Sequence, residues 1–216
     1  MNSIKENIEQ IRKTIPHGVT LVCVSKFHPV SAILDAYKAG EREFGESRVQ
    51  ELLLKQQQIT EPDIKWHFIG HLQTNKVKQV VGNVAQIDSV DSLHLMQLIN
   101  KAATEKNLVQ DILLELHVAE ETTKTGILPQ DLSLFMEEAK NLPHIRVKGL
   151  MGMASNTDDV VRIKSDFRQL KMLFENFFDK NSNCQLSMGM SDDYLLAVEE
   201  GSTEVRIGSG IFGERK

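Results

Sequence analysis

Apolar positions along the chain alternate between two kinds of spacing. Short runs rich in β-branched residues read as strands, and stretches with apolar residues at i, i+3, i+4 and i+7 read as helices. Residues 3–14 open the chain as a helix with Ile4, Ile8, Ile11 and Ile15 on one stripe, stopped by Pro16-His17-Gly18. Strands are then predicted over 19–25, 43–45, 66–69, 84–87, 111–118, 145–150, 185–188 and 204–207. Helices fall between them over 30–39, 47–58, 74–81, 90–105, 130–140, 158–178 and 192–199. The longest is expected to bury Val160, Phe167, Leu170, Phe174 and Phe177. Regular alternation of strand and helix implies parallel strands with helices outside. Eight such units predict a (β/α)8 TIM barrel with an extra N-terminal helix, one domain over residues 1–216. An open doubly wound sheet is the competing arrangement.

Composition narrows the function more than the fold. Apolar residues make up 41% and charged residues 25%, as in a soluble globular protein. The formal net charge of -5 lacks the basic excess that nucleic-acid or anionic-membrane partners require. Cys23 and Cys184 lie far apart with no CxxC, so neither a disulfide framework nor a zinc site is suggested, and a cytoplasmic location is expected. No stretch approaches membrane-spanning length, and residues 1–14 lack the apolar core of a signal peptide.

In a barrel the chemistry belongs at the carboxyl ends of the strands. Lys26 follows strand 1 on the face shared by Val22 and Val24, at the end of an apolar row. A lysine so placed loses some preference for its charged form and becomes a usable nucleophile; a strand-end lysine reaching for water is the plainer reading. Glu46, Ser47 and Arg48 follow strand 2, and Ser187-Met188-Gly189-Met190-Ser191 follows strand 7. Gly208-Ser209-Gly210 follows strand 8. The last two loops are made of small residues where barrels often hold phosphate, and glycines let backbone N–H groups approach an anion. Ser191 could equally be an N-cap for helix 192–199. Arg206, inside strand 8, needs either a structural carboxylate or a ligand acceptor. His67 and His71 are four apart but lack the HExxH glutamate, so metal binding is not favoured. Glu120, Glu121 and Lys124 read as a solvated loop, and the charges over 162–171 as an exposed helix face.

Several segments resemble the pyridoxal phosphate homeostasis protein family. They are Val24-Ser25-Lys26, Phe44-Gly45-Glu46-Ser47-Arg48-Val49-Gln50-Glu51 and the 66–76 block. Gly149-Leu150-Met151, the 186–193 block and the 205–215 block follow in the same order. The resemblance implies a barrel like the N-terminal domain of alanine racemase. It also implies pyridoxal 5′-phosphate (PLP) held as a Schiff base on Lys26. The Ser191 loop, Met188 included, and the Gly208-Ser209 turn would hold the phosphate, Ser47 would line the site, and Arg206 would face the pyridine nitrogen. The chain departs from the family at Ser47 and Arg48, where asparagine and an aromatic are usual. His117 replaces a common asparagine, and Ser209-Gly210 a Thr-Ala pair. An arginine at the ring nitrogen makes a weak electron sink. Racemisation also needs an acid or base on each face, and neither Tyr37 nor Tyr194 is an obvious second base. Similar racemases draw that group from a C-terminal domain, and this chain ends at Lys216. The expectation is therefore a monomeric PLP buffer or carrier with little or no turnover, passing PLP to apo-enzymes. A PLP-dependent amino-acid racemase or related enzyme is the alternative, and a phosphate-binding barrel without PLP a third.

Overall fold

The computed structural model describes residues 3–121, 125–179 and 183–214. Helix α1 (Ile4–Thr14) leads, and Ser3 and Glu6 form a capping box at its start. Eight parallel strands then close into a barrel in sequence order. They are β1 (Thr20–Val24), β2 (Glu43–Glu46), β3 (Lys65–Phe68), β4 (Gln86–Val90), β5 (Gln110–Leu116), β6 (Ile145–Gly152), β7 (Gln185–Ser187) and β8 (Glu204–Ile207). The closing pair is β1 with β8, where Val22 stands opposite Arg206. The connecting helices are α2 (Val30–Lys38), α3 (Val49–Gln58), α4 (Val77–Val80), α5 (Leu93–Glu105), α6 (Leu132–Ala139), α7 (Val160–Phe177) and α8 (Tyr194–Glu199). A final turn, α9 (Ser209–Phe212), packs on α1. The closed sheet rules out the open doubly wound arrangement. Among the described residues no helix is long and apolar enough to cross a membrane.

Two cores follow from strand alternation. Outward-facing Leu21, Cys23, Phe44, Phe68 and Ile87 pack with helix residues such as Ile33, Leu52 and Ile99 in one apolar layer. The barrel interior is far more polar, with His67, Asp88, Ser187, Glu204 and Arg206 all buried there. That interior explains the largest strand shift. The apolar run of strand 4 ends at Ile87, but the strand continues to Val90, because Asp88 turns inward to meet His67 at 3.2 Å. Other differences are local. Helix 192–199 starts only at Tyr194 with Asp193 at its cap, and 74–81 divides into a 3₁₀ turn and the single turn α4. On α7 the buried stripe is Ile163, Asp166, Phe167 and Leu170, while Val160 is exposed. Asp166 is therefore no surface charge: it accepts the Ser155 N–H at 2.8 Å and pairs with Arg162 at 3.0 Å.

Candidate functional site

At the carboxyl ends of the strands lies a cavity of about 240 Å³. Lys26, Ser191, Arg206, Gly208 and Ser209 all line it, with Val24, His28, Ile69, Met153, Met190 and Asp192. Five of the seven sequence-predicted site residues thus share one space. Ser47 lies outside it, in a neighbouring hollow with His71, Gln73 and Lys76. Met188 is wholly buried in the outer core; its N–H donates to the Glu204 carbonyl and its own carbonyl accepts from the Ser202 hydroxyl. Ser187 points inward to Arg206, so Met188 points outward; past the strand end Gly189, with φ of 96°, breaks the alternation and Met190 is the methionine that faces the cavity.

Lys26 sits half-buried just past β1, beyond the inward-facing Val24. Cys23, one residue before Val24, points outward, and burial pushes its thiol well above the usual range, so it is no competing nucleophile. Sequence reading missed how the Lys26 turn is held. Ser25 Oγ donates to Glu46 Oε1 at 2.6 Å, and the Lys55 ammonium on α3 reaches the Ser25 carbonyl at 2.8 Å. A wider groove of about 570 Å³ flanks this turn on the outside, between α2 and α3. None of the strand-end residues predicted from sequence lines it except Arg48.

On the opposite strands, the Ser191 hydroxyl accepts the backbone N–H groups of Gly208 at 3.2 Å and Gly210 at 3.3 Å. Ser191 is therefore not the cap of α8; that place is taken by Asp193, whose carboxylate accepts the Met190 N–H. A Cβ at Gly210 would fall 2.9 Å from Ile207 Cγ2, so the backbone there stays bare. Amide hydrogens clustered around a hydroxyl are the donor set an oxyanion accepts from.

Arg206 is buried, and its guanidinium donates to Ser187 Oγ at 2.6 Å and to the Gly152 carbonyl at 3.1 Å. Among the described residues no carboxylate forms an ion pair with it; Glu204, Glu115 and Asp193 interact with its charge only at longer range. Five N–H donors leave spare capacity toward the cavity. Beneath it, burial pushes the Glu204 carboxyl up to about 7; the Asp88 charge adds to this, while His67, Ser187 and Arg206 oppose it. Burial would lower the His67 imidazolium, but Asp88 and Glu43, one on each ring nitrogen, outweigh it and hold its pKa well above the usual value. His67, Asp88 and Glu204 are close enough to share a cation. With both ring nitrogens already bonded to carboxylates, His67 is instead a proton-bearing core residue. His71 is largely exposed and pairs with Asp91, so the two histidines do not converge.

The loop after β5 also differs from expectation. Glu120 pairs with Arg162 at 2.8 Å, and the half-buried Glu121 accepts the Asn156 N–H, tying the loop to the β6–α7 connection. Lys124 lies outside the described residues.

The family described as alanine racemase, N-terminal domain, matches residues 1–216. Among curated relatives, the pyridoxal phosphate homeostasis protein of Aquifex aeolicus is 41% identical over 198 residues, covering 91% of this chain and 87% of its own. That of Schizosaccharomyces pombe is 37% identical, covering 100% of this chain and 94% of its own. The solved structure of PipY of Synechococcus elongatus with PLP bound is 35% identical with a TM-score of 0.90, covering 98% of this chain and 100% of PipY. Alanine racemase of Clostridium difficile shares the fold at a TM-score of 0.78 and 14% identity, the match covering 98% of this chain and 56% of that enzyme.

Proposed function

Because this chain belongs to the pyridoxal phosphate homeostasis protein family, built on the alanine racemase N-terminal domain, we propose that it binds PLP and buffers or delivers it, with little or no turnover. The observation that carries the reading is the convergence of Lys26, Ser191, Arg206, Gly208 and Ser209 on one cavity. An amine, an arginine and bare backbone amides fit a phosphate ester that bears an aldehyde. When bound, PLP supplies an aldehyde that a primary amine captures reversibly and a ring that can act as an electron sink.

Lys26 would hold the aldehyde carbon through its neutral amine, as a Schiff base. The Gly208 and Gly210 amides and the Ser191 hydroxyl anchor the phosphate, with Ser209 beside them. Arg206 keeps its protons, so a ring nitrogen beside it can only accept. That arrangement weakens the electron sink and disfavours carbanion chemistry on an amino acid. The two tyrosines support the same conclusion. Tyr37 OH donates to Asp63 on the outside of the barrel, and Tyr194 OH shares a hydrogen bond with Thr14. Neither lines the cavity. The protein is proposed to act as a cytoplasmic monomer, with PLP-dependent apo-enzymes as recipients.

An absorbance scan of protein with PLP, before and after borohydride, followed by peptide mapping, tests this. The expected adduct is on Lys26 in wild type and absent in Lys26→Ala. A reduced adduct mapping elsewhere would overturn the assignment of Lys26, and robust turnover of a panel of L- and D-amino acids would overturn the carrier reading.

A further inference from the structure

Lys55 lies on α3, outside the cavity, yet it is 5% exposed and buried beside an equally buried carboxylate, Glu46. Its ammonium has three protons. They are matched by three acceptors: the Ser25 carbonyl at 2.8 Å, Glu46 Oε1 at 2.7 Å and Glu51 Oε1 at 2.7 Å. Each acceptor leads to the same turn. The Ser25 carbonyl belongs to the peptide group on the amino side of Lys26. Glu46 Oε1 also accepts the Ser25 hydroxyl at 2.6 Å. Glu51 Oε1 accepts the N–H of Phe27 at 2.5 Å, the peptide group on the carboxyl side of Lys26. Both peptide groups that flank the Lys26 Cα are thereby tied to one ammonium.

The turn needs such a hold. Phe27 has φ of 68°, a left-handed conformation that a bulky residue adopts only where its surroundings impose it. The Arg48 guanidinium lies 4.6 Å over its ring, a further contact from the β2–α3 connection onto the same residue. Burial on this scale is not needed for solubility or for helix stability. An ammonium surrounded by two carboxylates and a carbonyl fixes direction, because each partner constrains the others.

We propose that Lys55 is a positioning residue for Lys26, acting through Glu46 and Glu51 to fix the backbone from which the Lys26 amine reaches into the cavity. This rests on Lys26 being the residue that captures PLP. A covalent anchor depends on attack geometry, where small displacements are costly. Binding through the phosphate alone has no such demand. The clamp therefore distinguishes PLP from pyridoxine 5′-phosphate, which carries an alcohol in place of the aldehyde.

Three variants bear on it. Lys55→Met removes the ammonium but leaves the buried Glu46 carboxylate without its ion-pair partner, which can compromise folding. Glu51→Ala releases the Phe27 N–H while keeping the Lys55–Glu46 pair, at a site that tolerates truncation because it is partly open to solvent. Glu51→Gln keeps an acceptor oxygen and serves as the rescue. In Glu51→Ala, PLP affinity is expected to fall about tenfold, pyridoxine 5′-phosphate affinity to stay within about twofold, and Glu51→Gln to restore most of the loss. The Phe27 amide is expected to exchange with deuterium about tenfold faster in Glu51→Ala than in wild type. Unchanged PLP affinity in a variant whose Phe27 amide is released, or equal losses for both ligands, overturns the proposal; so does an unchanged Phe27 exchange rate. A wild type that forms no adduct on Lys26 defeats the functional reading instead, and the Phe27 exchange rate then still decides whether the clamp exists.

Discussion

The two sides of the cavity are built from different materials. On the β1–β2 side, charged side chains hold a turn: Glu46 from the end of β2, with Glu51 and Lys55 from α3, around Ser25 and Phe27. On the β7–β8 side there is no buried ion pair of that kind among the described residues; backbone N–H groups converge on the Ser191 hydroxyl. The difference matches the two demands a phosphorylated aldehyde makes. An anion is satisfied by several weak donors with broad angular tolerance, which small residues and bare backbone provide. A carbon–nitrogen bond needs one atom in one place, which requires a braced backbone. Substitutions on the two sides should therefore fail in different ways.

The largest effect is expected at Lys26. Lys26→Ala should lower PLP affinity by about a hundredfold, while pyridoxine 5′-phosphate binding stays within about twofold. Titration followed by cofactor absorbance and fluorescence reads both. Equal losses for the two ligands would mean that Lys26 contributes charge or shape rather than a covalent link, and the division between the sides would collapse.

The next largest concerns the frame of the β7–β8 side. Gly189 has φ of 96°, and a Cβ there would fall 2.6 Å from Ala197 Cβ and 2.9 Å from Tyr194 Cα. Its carbonyl accepts the Arg206 N–H at 3.0 Å, so the strain would reach the strand that carries the arginine. Gly189→Ala should cost about 2 kcal/mol in urea unfolding. It should also weaken PLP and pyridoxine 5′-phosphate together. Loss of PLP binding alone would show that this side shapes the covalent anchor after all.

How far each side was legible in the sequence follows from the same contrast. Small residues in two loops at adjacent strand ends mark out a candidate anion site by composition, and Ser191, Gly208 and Ser209 do line one cavity. Lys26 was visible because strand alternation places it on the face of Val22 and Val24. The eight-fold alternation gave the barrel for the same reason: period-two and period-3.6 patterns are local. Lys55 was not visible. On a helix, Glu51 and Lys55 are an ordinary i, i+4 surface pair; only the tertiary contact with Ser25 and Glu46 buries Lys55. Ser47 and Met188 were misplaced by the opposite error. Proximity in a loop does not say which way a side chain turns, and Met188 turns outward into the core while Met190 turns in.

A smaller effect is expected at Ser191. Its hydroxyl is one acceptor between two amides, and Ser191→Ala leaves those amides able to turn to the phosphate itself. A loss of about fivefold, equal for PLP and pyridoxine 5′-phosphate, is the expected outcome in the same titrations. A loss confined to PLP would place Ser191 with the covalent side.

The smallest effect comes from the layer beneath both sides, where charge is stored rather than displayed. Glu204 titrates near 7 in the fold, above the ordinary 4.5 of an unfolded glutamate, chiefly because it is buried. Its folded form thus binds the proton more tightly. The cost of ionising it appears as pH rises past the unfolded value and is complete above the folded one. His67 slopes the same way. Its folded value lies above 6.5, so the stability it contributes is full below that pH and is lost as pH rises through the folded value. Thermal unfolding should therefore show Tm falling from about pH 5 to about pH 8, beyond what surface charge explains. Glu204→Gln keeps the shape and removes one of the two titrations. It should raise Tm by about 3 °C at about pH 8, leave it near wild type at about pH 5, and flatten the slope between them. The same variant should bind PLP as wild type does if the layer only supports the two sides. A wild-type slope in Glu204→Gln would mean that His67 alone carries the pH dependence of the barrel interior. Altered PLP affinity would mean that the charge beneath Arg206 reaches the cavity, and that the two sides are coupled through the strand they stand on.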